Sequence, residues 1–378
     1  MSESRTPTVT AVIVNYNYER FVAEAIQSVL DQTDPFDAVF VVDDGSTDDS
    51  MRVIRSFGAA VNVIEKVNGG PLSAVWETLP HIVTDYVYVL DADDAAAPDL
   101  VDTVRPQLCS NPVKVQFQLQ SIDSDSVLID SIFPSYSDGY SSADMIADNE
   151  HLGFYVCAST SGNLFSVAYL RQMSLMQIDG RQAFDGILAQ AAPYFGEVVS
   201  LNKPLALYRV HDNSLSQWSK PTVPLMEKEC NRFWTRWHEV ERILASHDIV
   251  AASPSGSAYI SERELMTSVL EARRPSARVA VRYSDQILRS GLPLMQRFAF
   301  VAWALALPIV PLQTSQRLVV SRRSSRKRGP VVTWIAHRAR AGRSEAPSAR
   351  AKVLVPVGVS LAAVARGLLA RSWLKRHR

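Results

Sequence analysis

The chain has 378 residues with 47% hydrophobic and 21% charged side chains, a globular composition long enough for two or three structural units. Its 39 basic and 39 acidic residues cancel, yet residues 313–378 carry 16 basic side chains against one acid, leaving 23 basic and 38 acidic ahead of them. Cys109, Cys157 and Cys230 are too few and too scattered for a disulfide framework or a zinc-ligand set, which points to a reducing compartment, and residues 1–8 hold no apolar signal-peptide stretch.

Residues 9–14 form an apolar run that reads as a buried strand. Phe21, Val22, Ala25, Ile26, Val29 and Leu30 follow at helical spacing. A second strand is expected over 38–42, a helix over 48–57, a third strand over 61–64, a helix over 72–79 and a fourth strand over 86–90. Continuous apolar strands separated by helices predict an α/β fold with a mostly parallel sheet covered on both faces, whose ligands bind at the carboxyl ends of the strands. Residues 113–118 and 127–133 alternate like an antiparallel pair. A serine-rich loop and short helices then lead to short strands over 198–201 and 205–208. Beyond them, 223–247 predicts one amphipathic helix and 262–288 a helical pair. The organisation expected is a catalytic domain over 1–220, a helical region over 221–290 and an apolar, basic tail over 291–378.

That tail holds two apolar stretches. Residues 298–312 are too short and too proline-bearing to span a bilayer and are expected to lie at an interface or re-enter. Residues 353–370 are flanked by Lys and Arg and are expected to lie among lipid headgroups. The basic run 321–328 has no nucleic-acid reader fold beside it, so an anionic membrane surface is the expected partner, with no nucleic acid. The expected location is the cytoplasm, peripheral on the inner face of the cell membrane.

Polar clusters fall at three expected strand ends: Asn15-Tyr-Asn-Tyr18, Asp43-Asp-Gly-Ser-Thr-Asp48 and Asp91-Ala-Asp-Asp94. The last can hold a hard divalent cation, Mg²⁺ or Mn²⁺, that keeps diphosphate oxygens in its shell. Asp44 can accept from a base or a ribose, and Asp48 can cap the next helix. Trp234 and Trp237 sit at helical spacing and read as packing. No G-x-G-x-x-G or P-loop follows the first strand, which disfavours a dehydrogenase or a P-loop enzyme. A nucleotidylyltransferase would want a glycine-rich basic loop there instead.

These segments resemble family 2 glycosyltransferases, in a bacterial branch. The run from Val12 to Phe21, Ser28-Val-Leu-Asp-Gln32, Val41 to Asp48, Asn68-Gly-Gly70 and Tyr88 to Asp94 carry the likeness. So do Ser161-Gly-Asn-Leu-Phe165, Phe184-Asp-Gly-Ile-Leu188 and Pro204 to His211. The resemblance implies the GT-A fold, a nucleoside-diphosphate-sugar donor, inversion at the anomeric carbon, and a glycan or lipid-linked acceptor in cell-surface synthesis. It places Asn15, Tyr16, Glu19, Asp43, Asp44, Asn68 and Asp91 at the donor nucleotide. Asp93 and His211 fall at the metal, Ser161, Gly162 and Asn163 on the acceptor side, and Asp185 as the base. Pro71 and Trp76 stand where that branch commonly has Gln and Asn, so the neighbouring donor pocket is expected to be remodelled. The alternative is a module that binds the nucleotide sugar without turnover while tethered to the membrane.

Overall fold

The apolar runs of the first ninety residues become β1 (Val9–Asn15), β2 (Ala38–Asp43), β3 (Asn62–Glu65) and β4 (Tyr86–Asp91), all parallel in the order β3-β2-β1-β4. The sheet continues through β5 (Ala95–Ala96), β6 (Lys114–Ile122), β7 (Leu128–Phe133), β8 (Asn163–Ser166) and β9 (Val198–Arg209). β8 is inserted antiparallel between β4 and β6, and β9 runs parallel to β6 on its far side. β7 pairs antiparallel with the distal part of β6, as the alternating pattern predicts. This computed structural model describes residues 5–179, 184–211 and 221–323, all within one compact unit.

β1, β2 and β4 are apolar over nearly their whole length because both of their faces are covered, whereas β3 at the sheet edge is largely exposed. Val12, Val14, Phe40, Val42, Val87 and Val89 point into a cluster with Leu72 and Val75 of the helix Pro71–Thr78. Their alternate neighbours Ala11, Ile13, Val39, Val41, Tyr88 and Leu90 face the opposite cluster, against Ala25, Ile26 and Val29 of the helix Val22–Leu30. The period of two along a strand and the i, i+3, i+4, i+7 spacing along the helix thus meet in one core.

The two strands expected over 198–208 are a single strand. Its ladder with β6 slips between Leu201 and Ala206, where Pro204 has no N–H to donate and the chain bulges rather than ends. β8 escapes the sequence pattern because four residues are too few to show a period.

From residue 221 to residue 323 the chain is helical. The helix Val223–Ala245 buries Trp237 in the first cluster and rests Trp234 against it, so both tryptophans serve packing. The helices Ala258–Leu270, Ala277–Arg289, Leu294–Ala306 and Leu312–Arg323 build a third cluster with Leu152. The apolar stretch read as interfacial supplies one of these helices. Ala304 and Leu307 are buried in the cluster, and Trp303 Nε1 donates to Leu318 O at 3.2 Å. Its other side exposes Leu294, Met295, Phe298 and, just beyond, Ile309. No helix among the described residues is long and apolar enough to cross a membrane. Residues 324–378, with the second apolar stretch, lie outside the described residues.

Candidate functional site

Parallel pairing sets the strand ends level with one another: Asn15 is in register with Asp43, and Val14 with Asp91. Asn15 is fully buried, and its Nδ2 donates to Asp43 Oδ1 at 2.7 Å and to Ser46 Oγ at 3.1 Å. Ser46 closes the triangle by donating its N–H to Asp43 Oδ2 at 2.9 Å and its hydroxyl to Asp43 Oδ1 at 2.6 Å. Asn15 Oδ1 is buried without a donor among the described residues. At the carboxyl end of β1 this leaves an acceptor that a ligand donor could satisfy.

Asp44 is also buried, but its carboxylate is occupied from within the chain. It accepts from Lys66 Nζ at 2.7 Å, Gly69 N at 2.9 Å and Gly70 N at 2.8 Å. The loop after β3 is thereby drawn over the end of β2. Gly45 permits this approach: its φ is +77°, and a Cβ there would stand 2.8 Å from the backbone nitrogen of Asn68. Asn68 itself is exposed, as is Tyr16 at 45% on the rim. Glu19 and its partners form a second latch, with Glu19 N donating to Asp48 Oδ2 at 3.0 Å and Asp49 N to Glu19 Oε2 at 2.7 Å. Asp48 does not cap the next helix as expected. Asp49 holds the cap position without a side-chain bond, while Asp48 Oδ1 accepts from Ser50 N.

After β4 the chain turns, and the turn is held from far away in sequence. Asp93 Oδ2 meets His211 Nε2 at 3.0 Å, just past the end of β9. The Tyr18 hydroxyl also bonds Asp93, and burial, followed by the charges of Asp93 and Asp91, holds that phenol far above its ordinary range. Asp94 is fully buried and accepts the Arg209 N–H at 2.8 Å. Burial, reinforced by the charge of Asp93, pushes its carboxyl up to about 8.

Arg209, 1% exposed, spreads its donors around this turn. Nε donates to Asp93 O at 2.7 Å, Nη1 to Asp123 O at 3.2 Å and Ser126 Oγ at 2.8 Å, and Nη2 pairs with Glu24 Oε2 at 2.7 Å. Its guanidinium sits 4.8 Å from the centre of the Phe21 ring.

Asp93 and His211 thus offer one hard oxygen ligand and one imidazole in contact. No group of three His, Cys, Asp or Glu among the described residues is arranged to hold an ion. The pair fits Mg²⁺ or Mn²⁺ only as part of a shell that a bound diphosphate completes, which is how such cations are usually held.

Ser161 ties this turn to the other side of the sheet, its hydroxyl accepting the Asp91 N–H at 3.2 Å. Ser161, Gly162 and Asn163 are all buried. Asn163 Nδ2 donates to Ala158 O and Ser159 O, and a Cβ on Gly162 would stand 2.5 Å from Ala158 Cβ. These three residues shape the wall from behind. Asp185 lies in the first turn of the helix Phe184–Ala191, and its side chain is outside the described ones. Pro71 opens its helix after Gly70, and Trp76 packs against the first cluster.

Of the expected residues, the structure gathers Asn15 with Asp43, and Asp91 with Ser161, while Asp93 meets His211. Tyr18, Glu24, Ser46, Lys66, Asp94 and Arg209 join the site without having been assigned to it. Ser46 and Asp94 stood inside quoted motifs, whereas nothing in the sequence around Glu24 announces a partner 185 residues away.

Residues 10–166 match the family model described as glycosyl transferase family 2. Among curated relatives, the glycosyltransferase GlyA of Streptococcus pneumoniae is 26% identical over 255 residues, covering 63% of this chain and 36% of that protein. An uncharacterised glycosyltransferase of Nostoc is 31% identical over 216 residues, covering 54% of this chain and 65% of its own. The chain therefore matches less than two thirds of the length of either relative. Among solved structures, TarS 1–349 of S. aureus in complex with UDP-GlcNAc shares 14% identity, covers 84% of this chain and 91% of that one, and has a TM-score of 0.45.

Proposed function

We propose that this chain, which belongs to glycosyltransferase family 2 through residues 10–166, moves a sugar from a nucleoside diphosphate to an acceptor hydroxyl with inversion. Its fold is GT-A: a mostly parallel sheet with helices on both faces, followed by a helical region. The observation that carries the reading is the convergence of polar clusters at the ends of β1, β2 and β4, closed by His211 and Arg209 from the end of β9.

In this reading Asn15, Asp43 and the Asp44 loop hold the nucleoside, with Tyr16, Glu19 and Asn68 around the rim and Asp91 toward the ribose and diphosphate. Asp93 and His211 would hold Mn²⁺ or Mg²⁺, which supplies Lewis-acid neutralisation of the leaving diphosphate. Arg209 keeps the Asp93 and Asp94 backbone in place for this. Asp185 removes the proton of the attacking acceptor hydroxyl, and a single attack on the face opposite the diphosphate inverts the anomeric carbon.

The test is a melting series of the full chain with UDP, GDP, dTDP, CDP and ADP, each with and without Mn²⁺. A ligand bound only to the folded state adds about 2.7 kcal/mol at a hundredfold excess over its dissociation constant. One nucleotide is expected to raise the melting temperature in the presence of the metal. If none does, the donor reading fails.

The same chain is proposed to rest on an anionic membrane. The exposed Leu294, Met295, Phe298 and Ile309 precede a basic carboxyl-terminal segment, and together they suit a headgroup layer. Sedimentation with vesicles is expected to carry the full chain down with phosphatidylglycerol present and to fail at high salt. Equal recovery with neutral vesicles would sink the charge-based part of this reading.

A further inference from the structure

A cavity of about 510 Å³ lies between the helix Val223–Ala245, the segment 153–159 and the helix Phe184–Ala191. One wall is aromatic. Phe233 stacks on Tyr259 with ring centres 4.8 Å apart, and Phe154 meets Tyr259 edge-on at 5.5 Å. Arg232, Arg236 and Arg263 bring guanidinium groups to the same cavity.

Their charges are not equally satisfied. Arg263 is paired with Glu229 at 3.1 Å and Glu262 at 2.8 Å, and lies on the Tyr259 ring. Arg232 and Arg236 have no acidic or hydrogen-bonding partner among the described residues, and Arg236 Nε is buried without an acceptor. A buried guanidinium nitrogen lacking an acceptor, as at Arg236, is costly, and with three guanidinium groups against the one lining carboxylate of Glu229 the cavity carries an excess of positive charge that suits an anion. Planar guanidinium donors match phosphate oxygens in particular. A phosphate monoester, with about −1.5 to −2 charges, balances two of them where a carboxylate balances one.

The position of the cavity fits the acceptor. Arg236 crosses Gly186 so closely that a Cβ there would stand 2.7 Å from its Nε, and Gly186 directly follows Asp185. Ser159 on the opposite wall is two residues from Ser161, which bonds the Asp91 backbone. We infer that this cavity binds a phosphate carried by the acceptor, with Arg236 and Arg232 as its ligands and the aromatic wall against the sugar or polyol that bears it. The word acceptor rests on the glycosyltransferase reading; the phosphate site does not.

The experiment is calorimetric titration of the full chain, in EDTA, with glycerol phosphate, glycerol, glucuronate and geranyl phosphate. Glycerol phosphate is expected to bind and glycerol not to. Arg236→Gln and Arg232→Gln are each expected to weaken glycerol phosphate about tenfold or more, since a hydrogen bond to a charged group contributes about 1.5–3 kcal/mol. Arg232 is exposed, so its variant keeps the test open if the Arg236 variant does not fold. Arg236→Lys retains the charge and should recover part of the loss. Geranyl phosphate binding far tighter than glycerol phosphate assigns a lipid-linked source, and equal binding assigns a soluble one. Unchanged affinity in both Gln variants overturns the proposal, as does glucuronate binding as tightly as glycerol phosphate. Nucleotide binding by the unmodified chain is measured separately: its failure removes the glycosyltransferase reading, whereas failure of phosphate binding removes only this one.

Discussion

Asp185→Asn is expected to lower sugar transfer by about 10²- to 10⁴-fold while leaving nucleotide affinity where it was. Asparagine keeps the shape and the polarity of the side chain, so the helix Phe184–Ala191 has no reason to move. It cannot take a proton at neutral pH, so the acceptor hydroxyl must attack unassisted. The contrast between the two readouts isolates the role, because the proposed donor contacts lie at the ends of β1, β2 and β4 and not on this helix. Steady-state transfer measured beside nucleotide binding decides it. Transfer within a few-fold of the unmodified chain would move the base elsewhere, and a parallel loss of nucleotide binding would make Asp185 structural.

The second large effect concerns a residue that the proposed chemistry never touches. Arg209→Ala is expected to destabilise the fold by about 3 kcal/mol, because it strands the part-buried carbonyls of Asp93 and Asp123 at roughly 1–3 kcal/mol for each unsatisfied group, whereas the exposed Ser126 hydroxyl keeps Glu24 as a partner. Glu24 is 41% exposed and regains water, so the ion pair itself adds little. Arg209→Lys should recover only a small part, since one ammonium cannot reach acceptors that a guanidinium fork spans. Urea unfolding measures the stability. The same variants should weaken metal-dependent nucleotide binding through the displaced Asp93 backbone. A cost below about 1 kcal/mol for Arg209→Ala would mean that water satisfies those carbonyls.

Much of this was readable in one dimension. β1, β2 and β4 show in the sequence because a strand buried on both faces must be apolar at nearly every position, and their ends show because polar runs interrupt them. The antiparallel β6–β7 pair shows by its alternation. What escaped depends on contacts across the chain. β8 is four residues long and takes its identity from the edges of β4 and β6. Lys66 looks like an ordinary solvated lysine until the fold brings it to Asp44. Tyr18 stands in the polar cluster after the first strand with no sign of its partner, yet its hydroxyl is bound to Asp93. Residues 298–312 look interfacial from hydropathy and proline content, but the neighbouring helices supply a protein surface for one side.

The acidic turn after β4 also has a timetable. Its bonds to Arg209 and His211 span 115 to 118 residues, so the ribosome completes Asp93 and Asp94 long before it makes what finishes them. The four parallel strands can pair from contacts among the first ninety-one residues, while the turn must wait for β9 to align on β6. Pairings of such separation are slow to form because a long loop must close before any contact rewards it. The nascent sheet is thus assembled ahead of its own chemistry, and Asp93 meets His211 only in a chain that has grown through the whole of β9.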